Sequence, residues 1–562
     1  MNDTANARRR EIALKIAAEA YRMPLKASGL WFHDDVRNNF YYASYLFAAA
    51  VDPEIAEGMD RTAAKQKAEQ VLEEVLRLQN RTPGTALYGH WPLGLDPEPR
   101  EASPHELPVE IMGSLMAYFC RHYGKELSAG LRVAFHSALG HVYRSGFFRE
   151  PVVHYGHHEA KYTAAKLIFG QLFEDADLAE DGRRSLKQTL DYIRAQGMPE
   201  YGALPWFWHW VQAFTCALML TEGREGEGEL RKELEAMLDY LWEQRARQYV
   251  GGAFAGPLSR GWPHDVPGDA NVLFDYVQFG DFPLPDAMPR TEYAGFLYYE
   301  APERIRTLAL DRCVPSEEKR LTRKVYPDQP QQPDLHSYTY RTAEYGAGGL
   351  WERVEEFDNE QLRWAFSLPV DGSGKGNRLY FMHPGQGYRE GDPRHQSGRM
   401  EVLFNRNTVL ALFPVPETDP HPFALGVLPP GEWLQRPGAL YGRSGGVDFA
   451  VFVSGAYRLT EREQYVEVIV SGMPGGVAVE AAGAEERAAG GWSSLEEFAV
   501  YMENRQPRFT AGPGLSAALE YRTLPGAELK LEVQEDSGAE QQSLRVSRKI
   551  DEKEVGFEDY RV

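Results

Sequence analysis

The period of the apolar residues changes once along this chain, near residue 313, and that change limits what it can fold into. Before it, apolar residues recur with helical spacing in 7–24, 38–51, 61–79, 107–123, 128–144, 158–173, 181–196, 206–221 and 228–247. The run RTAAKQKAEQVLEEVLRLQ (61–79) puts Ala, Val and Leu on one stripe. With shorter segments near 270–280 and 300–310, this predicts roughly ten to twelve helices. The longer connections (80–106, 145–157, 250–268 and 281–297) are rich in Gly, Pro, His and Trp, a composition suited to functional loops. From Lys324 on, short alternating runs take over, among them LHSYTYRTAEY (335–345), QLRWAFSL (361–368), NRLYFMH (377–383), TVLALFPV (408–415), DFAVFVSG (448–455) and QYVEVIVSG (464–472). Gly, Pro and Asp clusters separate them, as in a β-sandwich. A length of 562 residues exceeds what one core organises. Residues 1–312 are therefore read as a helical domain, 313–335 as a connection and 336–562 as an antiparallel β domain. Paired helices followed by strands predict an N-terminal (α/α) toroid with a C-terminal antiparallel β-sandwich.

Charge and composition narrow the partners. A net charge of −21 argues against a nucleic-acid backbone as ligand. No apolar run is long enough to span a bilayer, and the first residues, MNDTANARRREIALKIAAEAYRM, lack a signal core. A cytoplasmic location, without membrane attachment, is the expectation. Three Cys (120, 216 and 313) are too few and too scattered for a disulfide framework or a zinc site. No Walker or Rossmann glycine pattern lies in a strand–helix context, so no cofactor is implied; His383 and His395 are left as candidates for a structural metal, although their spacing is weak evidence for zinc. Aromatic residues make up 12% of the chain, enough to furnish sugar-stacking platforms. Filling a large helical core accounts for them equally well. The oligomeric state stays open.

Four segments concentrate reactive side chains. In VHYGHHEAKY (153–162), a helix beginning at His157 puts His158 and Tyr162 on one face, able to supply a base and an acid, with His157 as a sugar contact. The alternative is a set of polar loop and cap residues. Glu200-Tyr201 precedes Trp206-Phe207-Trp208-His209-Trp210, too many rings for one buried stripe, so Trp206, Trp208 and His209 are candidate substrate contacts. A helix start packed by large rings is the alternative. In Ser259-Arg260-Gly261-Trp262-Pro263-His264-Asp265, Arg260 can clamp a carboxylate, and His264 with Asp265 forms a candidate base and orienting acid, unless the segment is a structural loop. Trp31 and Asp34, ahead of a helix, form an aromatic–acid pair for a sugar, or Asp34 and its neighbours simply cap that helix. His90, Trp91, His105, Glu106 and Glu110 are placed at the same end of the toroid.

The segments EYGALPWFWHW (200–210), AGPLSRGW (255–262), YTYRTAEYGAGG (338–349), FMHPG (381–385) and HQSGRMEVLFNRNTVLALF (395–413) carry a resemblance to the toroid-plus-sandwich polysaccharide lyases, the heparinase II/III-like proteins. That resemblance implies an oligosaccharide lyase that cleaves a uronic-acid-containing sugar by β-elimination. Elimination needs one group to neutralise the C6 carboxylate, a base for the C5 proton and an acid for the leaving oxygen. In the resembled lyases His or Asn takes the first task and Tyr or His the others. This sequence has Phe207 and Trp208 where a catalytic Tyr is expected, which passes that role to Tyr162 or Tyr201. The resemblance also implies that a sandwich residue enters the cleft, among Tyr338, Tyr340, Arg341 and Glu344. Two other readings stand beside this one. A glycoside hydrolase on the same toroid would use two carboxylates from Glu110, Glu159, Glu200, Asp265 and Asp34. A non-catalytic sugar-binding protein would keep the rings without converging polar groups.

Overall fold

Two kinds of helix build the N-terminal half. The computed structural model describes residues 3–52, 55, 59–200, 202, 204–222, 226–259, 272–286, 293–329, 332–354, 361–391, 395–535 and 544–562. Its first helices are α1 (Asp3–Arg22), α2 (Val36–Val51), α3 (Arg61–Arg77), α4 (Glu106–Tyr123), α5 (Ala129–Ser145), α6 (His157–Leu172), α7 (Ala176–Gln196), α8 (Leu204–Thr221) and α9 (Gly228–Arg247). α2 and α4 are apolar almost all round and are buried on every side. α7 instead buries one stripe, which includes Leu178, Leu186, Leu190 and Ile193. The difference sorts them into rings: α2, α4, α6 and α8 pack on one another inside, and odd-numbered helices cover them, as α3 does α2 and α7 does α6. Short helices α10 (Leu273–Gln278) and α11 (Glu303–Leu310) end the toroid against α1 and α9.

The C-terminal half is antiparallel. One sheet runs Glu401–Asn405, Thr408–Phe413, Gly475–Ala482, Val447–Val453, Ala439–Ser444 and Glu432–Arg436. The other runs Tyr457–Glu461, Val466–Ser471, Phe423–Leu428, Arg378–Met382, Trp364–Ser367, Gly346–Leu350, Leu335–Arg341 and Ser316–Thr322. Burial on both faces, as in Val447–Val453, explains runs such as FAVFV that are apolar throughout instead of alternating. Two features differ from the sequence reading. The segment 313–335 carries a strand, Ser316–Thr322, in register with Leu335–Arg341, so the edge of the sandwich begins inside the expected connection. Residues 508–554 form a further sheet of their own, Arg508–Ala511, Ala517–Arg522, Glu528–Glu535, Leu544–Ile550 and Lys553–Glu554. Its strands pair through alternating apolar residues, such as Leu529, Leu531 and Val533.

Toroid and sandwich share a core. Leu362, Ala365, Tyr380, Met382, Leu425 and Val427 of the sandwich belong to the apolar cluster that fills the toroid. Arg341, buried on its strand, donates to the carbonyls of Ala246, Tyr249 and Leu308 in the helical half. Among the described residues no helix is long and apolar enough to cross a membrane.

Candidate functional site

Glu110 lies on α4 between Val109 and Ile111 and is only 3% exposed. A buried carboxylate has to be partnered, and α6 supplies every partner at i, i+3 and i+4. His158 Nδ1 lies 2.9 and 2.8 Å from its two oxygens, the Tyr162 hydroxyl donates to Oε1 at 2.9 Å, and the buried Lys161 ammonium ion-pairs with Oε2. Burial on its own raises the Glu110 pKa. The hydrogen bond from His158 and the charge of Lys161 outweigh that and bring it down to about 2. A charged Glu110 fixes the proton of His158 on Nδ1. The ring's Nε2 makes no hydrogen bond among the described residues, on a side chain 43% exposed. Burial and the Glu110 charge push the Tyr162 phenol well up, so it stays protonated.

A second histidine–carboxylate pair lies against the first. His157 Nδ1 contacts Glu200 Oε1, and Trp210 Nε1 donates to the other Glu200 oxygen at 2.9 Å. The His157 and His158 rings are 4.1 Å apart. Trp206 stacks on His157 at 5.3 Å with an interplanar angle of 5°, and the His209 ring is 5.5 Å from His157. Burial lowers the His157 pKa against the pull of Glu200, which keeps the ring neutral. For Glu200, the bond from His157 outweighs burial, and its pKa falls.

Local structure explains why these groups meet. Gly156 precedes α6, and a Cβ there would come within 3.3 Å of Glu200 Oε1, so the missing side chain admits that carboxylate. Glu159, in the first turn, accepts the backbone N–H groups of Val153, His154 and Tyr155, with a bond of 2.8 Å from Val153, and ties the incoming loop to the helix. Beyond it, Tyr155 stacks on Tyr192 at 3.9 Å, and His154 pairs with Asp328 at 2.9 Å. Arg37, held by Asp35 at 2.6 Å, is at the start of α2, and its charge acts on Lys161. Arg37, Glu110, His157 and Trp206 all lie near the N-terminal ends of inner helices. Four positive helix ends therefore gather around Lys161, an environment that favours an anionic ligand.

The chain is similar to solved polysaccharide lyases. A chondroitin AC lyase mutant of Streptomyces coelicolor A3 is 12% identical over 96% of this chain and 89% of that one, with a TM-score of 0.41. A chondroitinase AC lyase studied in oligosaccharide complexes is 9% identical over 97% and 94%, with a TM-score of 0.42. A heparinase III is 12% identical over 94% and 84%, with a TM-score of 0.43. No family model matches the chain, and no curated protein matches it.

Of the residues singled out from sequence, the structure brings His157, His158, Tyr162, Glu200, Trp206 and His209 together. It sets others apart. Trp31 is buried and donates to the Met23 carbonyl, and Trp91 is buried and donates to the Val75 carbonyl, so both are core rings and not platforms. Trp208 is wedged in the core between Trp242 and Phe274. Tyr340 packs beside Tyr345 inside the sandwich, in a different cluster from the cleft. Asp34 is exposed, while its neighbour Asp35 caps α2. Tyr201, Arg260, His264 and Asp265 lie outside the described residues. Lys161 was missed altogether, and Glu110 was read as a residue lining one end of the toroid and as a hydrolase carboxylate, not as the partner of His158 and Tyr162. The available signal was a charge set inside a buried apolar face, in VEIM and in AKYTAA.

Proposed function

We propose that this protein is an oligosaccharide lyase acting on a uronic-acid-containing sugar by β-elimination. The observation that carries the reading is the sharing of one Glu110 oxygen by His158 Nδ1 and the Tyr162 hydroxyl, each at 2.9 Å. This sharing sets a base and an acid side by side. Glu110 orients His158 so that Nε2 faces the cleft and takes the C5 proton. Tyr162, kept protonated, turns its hydroxyl from Glu110 to the leaving oxygen as that oxygen gains charge. The second pair, His157 with Glu200, presents a neutral imidazole beside Trp206, which serves as a ring platform. Convergent helix ends and the charges of Arg37 and Lys161 favour the C6 carboxylate and the enolate-like charge that develops on it.

The paired-carboxylate hydrolase finds less support. It requires a carboxyl with a raised pKa to act as the acid. Glu110 and Glu200 are both lowered and fully engaged, and Glu159 is occupied by three backbone N–H groups. Mass spectrometry of the products from uronate oligosaccharides tests the reading. Elimination gives fragments whose masses add up to the substrate, one of them unsaturated. Fragments that together weigh one water more would instead mean hydrolysis.

A further inference from the structure

Three tyrosines from distant parts of the chain gather beside the cleft. Tyr155, in the loop before α6, lies on Tyr192 of α7 with ring centroids 3.9 Å and planes 10° apart. Tyr326, from the segment that follows the strand Ser316–Thr322, lies nearly parallel to Tyr192 at 6.4 Å and 18°. That segment is fastened to the end of α7. The Arg323 N–H donates to the Gln196 carbonyl at 2.7 Å, and the Tyr192 hydroxyl accepts from the Val325 N–H at 3.1 Å and donates to the Arg323 carbonyl at 3.2 Å. His154 holds it as well, edge-on to the Tyr326 ring at 5.0 Å and with Nε2 2.9 Å from Asp328. Tyr155 itself sits at φ +55°, in the left-handed region that a bulky residue occupies only where its surroundings force it. Here they are the stack on Tyr192 and the Glu159 carboxylate that accepts its N–H.

This aromatic wall adjoins the histidine–carboxylate pairs. Gly156, next to Tyr155, lies against Glu200, and the charges of Glu200 and Glu159 both act on the Tyr326 phenol. Tyr155 is three residues from His158, no more than about 11 Å of chain. The Tyr192 hydroxyl is spent on the backbone, whereas those of Tyr155 and Tyr326 make no hydrogen bond among the described residues. Burial raises the pKa of both free phenols, so both stay protonated and able to donate. Half-buried rings with spare hydroxyls match the apolar face and the hydroxyl groups of a sugar. We propose that Tyr326, with Tyr155 beside it, is a substrate contact for the sugar next to the one that His158 deprotonates. The connection between the two domains thereby contributes a specificity-determining side chain to the cleft. This inference rests on the reading of that cleft as a saccharide site.

Isothermal titration calorimetry with tetrasaccharides of chondroitin, heparosan and alginate tests it, using the full chain with His158→Ala so that bound sugar is not turned over. At least one tetrasaccharide is expected to bind, and adding Tyr326→Phe should weaken that binding about fivefold, the size of one lost hydrogen bond. Tyr326→Ala, which also removes the ring, should weaken it further. If Tyr326→Ala does not fold, Tyr326→Phe carries the test alone. With His158 intact, Tyr326→Phe should raise KM more than it lowers kcat. Any of three results would overturn the proposal: no tetrasaccharide binds, Tyr326→Phe binds as tightly as its parent, or it lowers kcat with KM unchanged. Binding that depends on Tyr326 without elimination by wild type would contradict the lyase reading and support the contact. Elimination by wild type with unchanged binding in Tyr326→Phe would do the reverse.

Discussion

Three donors meet on the Glu110 carboxylate, and removing each has a different consequence. His158 is half exposed, so His158→Ala removes the base at little structural cost. Turnover should fall about 10²–10⁴-fold with the thermal midpoint near that of wild type, read by steady-state rates and calorimetry. Glu110→Gln strands a buried Lys161 ammonium, a loss of about 3–5 kcal/mol in unfolding free energy. The sign of its pH dependence follows from the depressed pKa. A carboxyl lowered from 4.5 to about 2 on folding stabilises the protein fully above its unfolded value and loses that contribution as pH falls towards 2. Denaturant unfolding at about pH 6 and about pH 3 should show wild type losing more stability than Glu110→Gln over that interval. An equal loss in both would contradict the assignment.

Among elements, α6 and the loop before it set the geometry of the cleft. Glu159 binds three successive backbone N–H groups, and Glu159→Ala frees them. The variant should lose about 1–3 kcal/mol and raise KM more than it lowers kcat, because the loop positions groups and does not react. The helical segments and the strand runs were legible because each rests on local period, and 153–162 and 200–210 stood out as clusters of polar and aromatic residues. That the two segments meet follows from no local pattern, since His157 and Glu200 are 43 residues apart. Glu110 and Lys161 are 51 residues apart, and no spacing rule links them. Trp31, Trp91 and Trp208 looked like platforms because sequence gives ring count without burial. The strand at Ser316–Thr322 was hidden because its charged residues sit on a sheet edge, where alternation is weak.

Across the whole molecule, the joint between toroid and sandwich is apolar and closed by Arg341, with Arg247 pairing to Glu318 at 3.0 Å beside it. Arg341→Met removes the guanidinium that donates to the carbonyls of Ala246, Tyr249 and Leu308. Scanning calorimetry should show one transition for wild type and a lower, split transition for the variant, whereas an unchanged single peak would mean that the joint contributes little. The central claim is that the Glu110-linked His158 and Tyr162 carry out an elimination. Ultraviolet absorbance during incubation with uronate oligosaccharides tests it most directly, because only elimination creates a conjugated double bond. The account predicts a steady rise with wild type that is lost in both His158→Ala and Tyr162→Phe. New reducing ends without that rise, or a full rise in both variants, would contradict it.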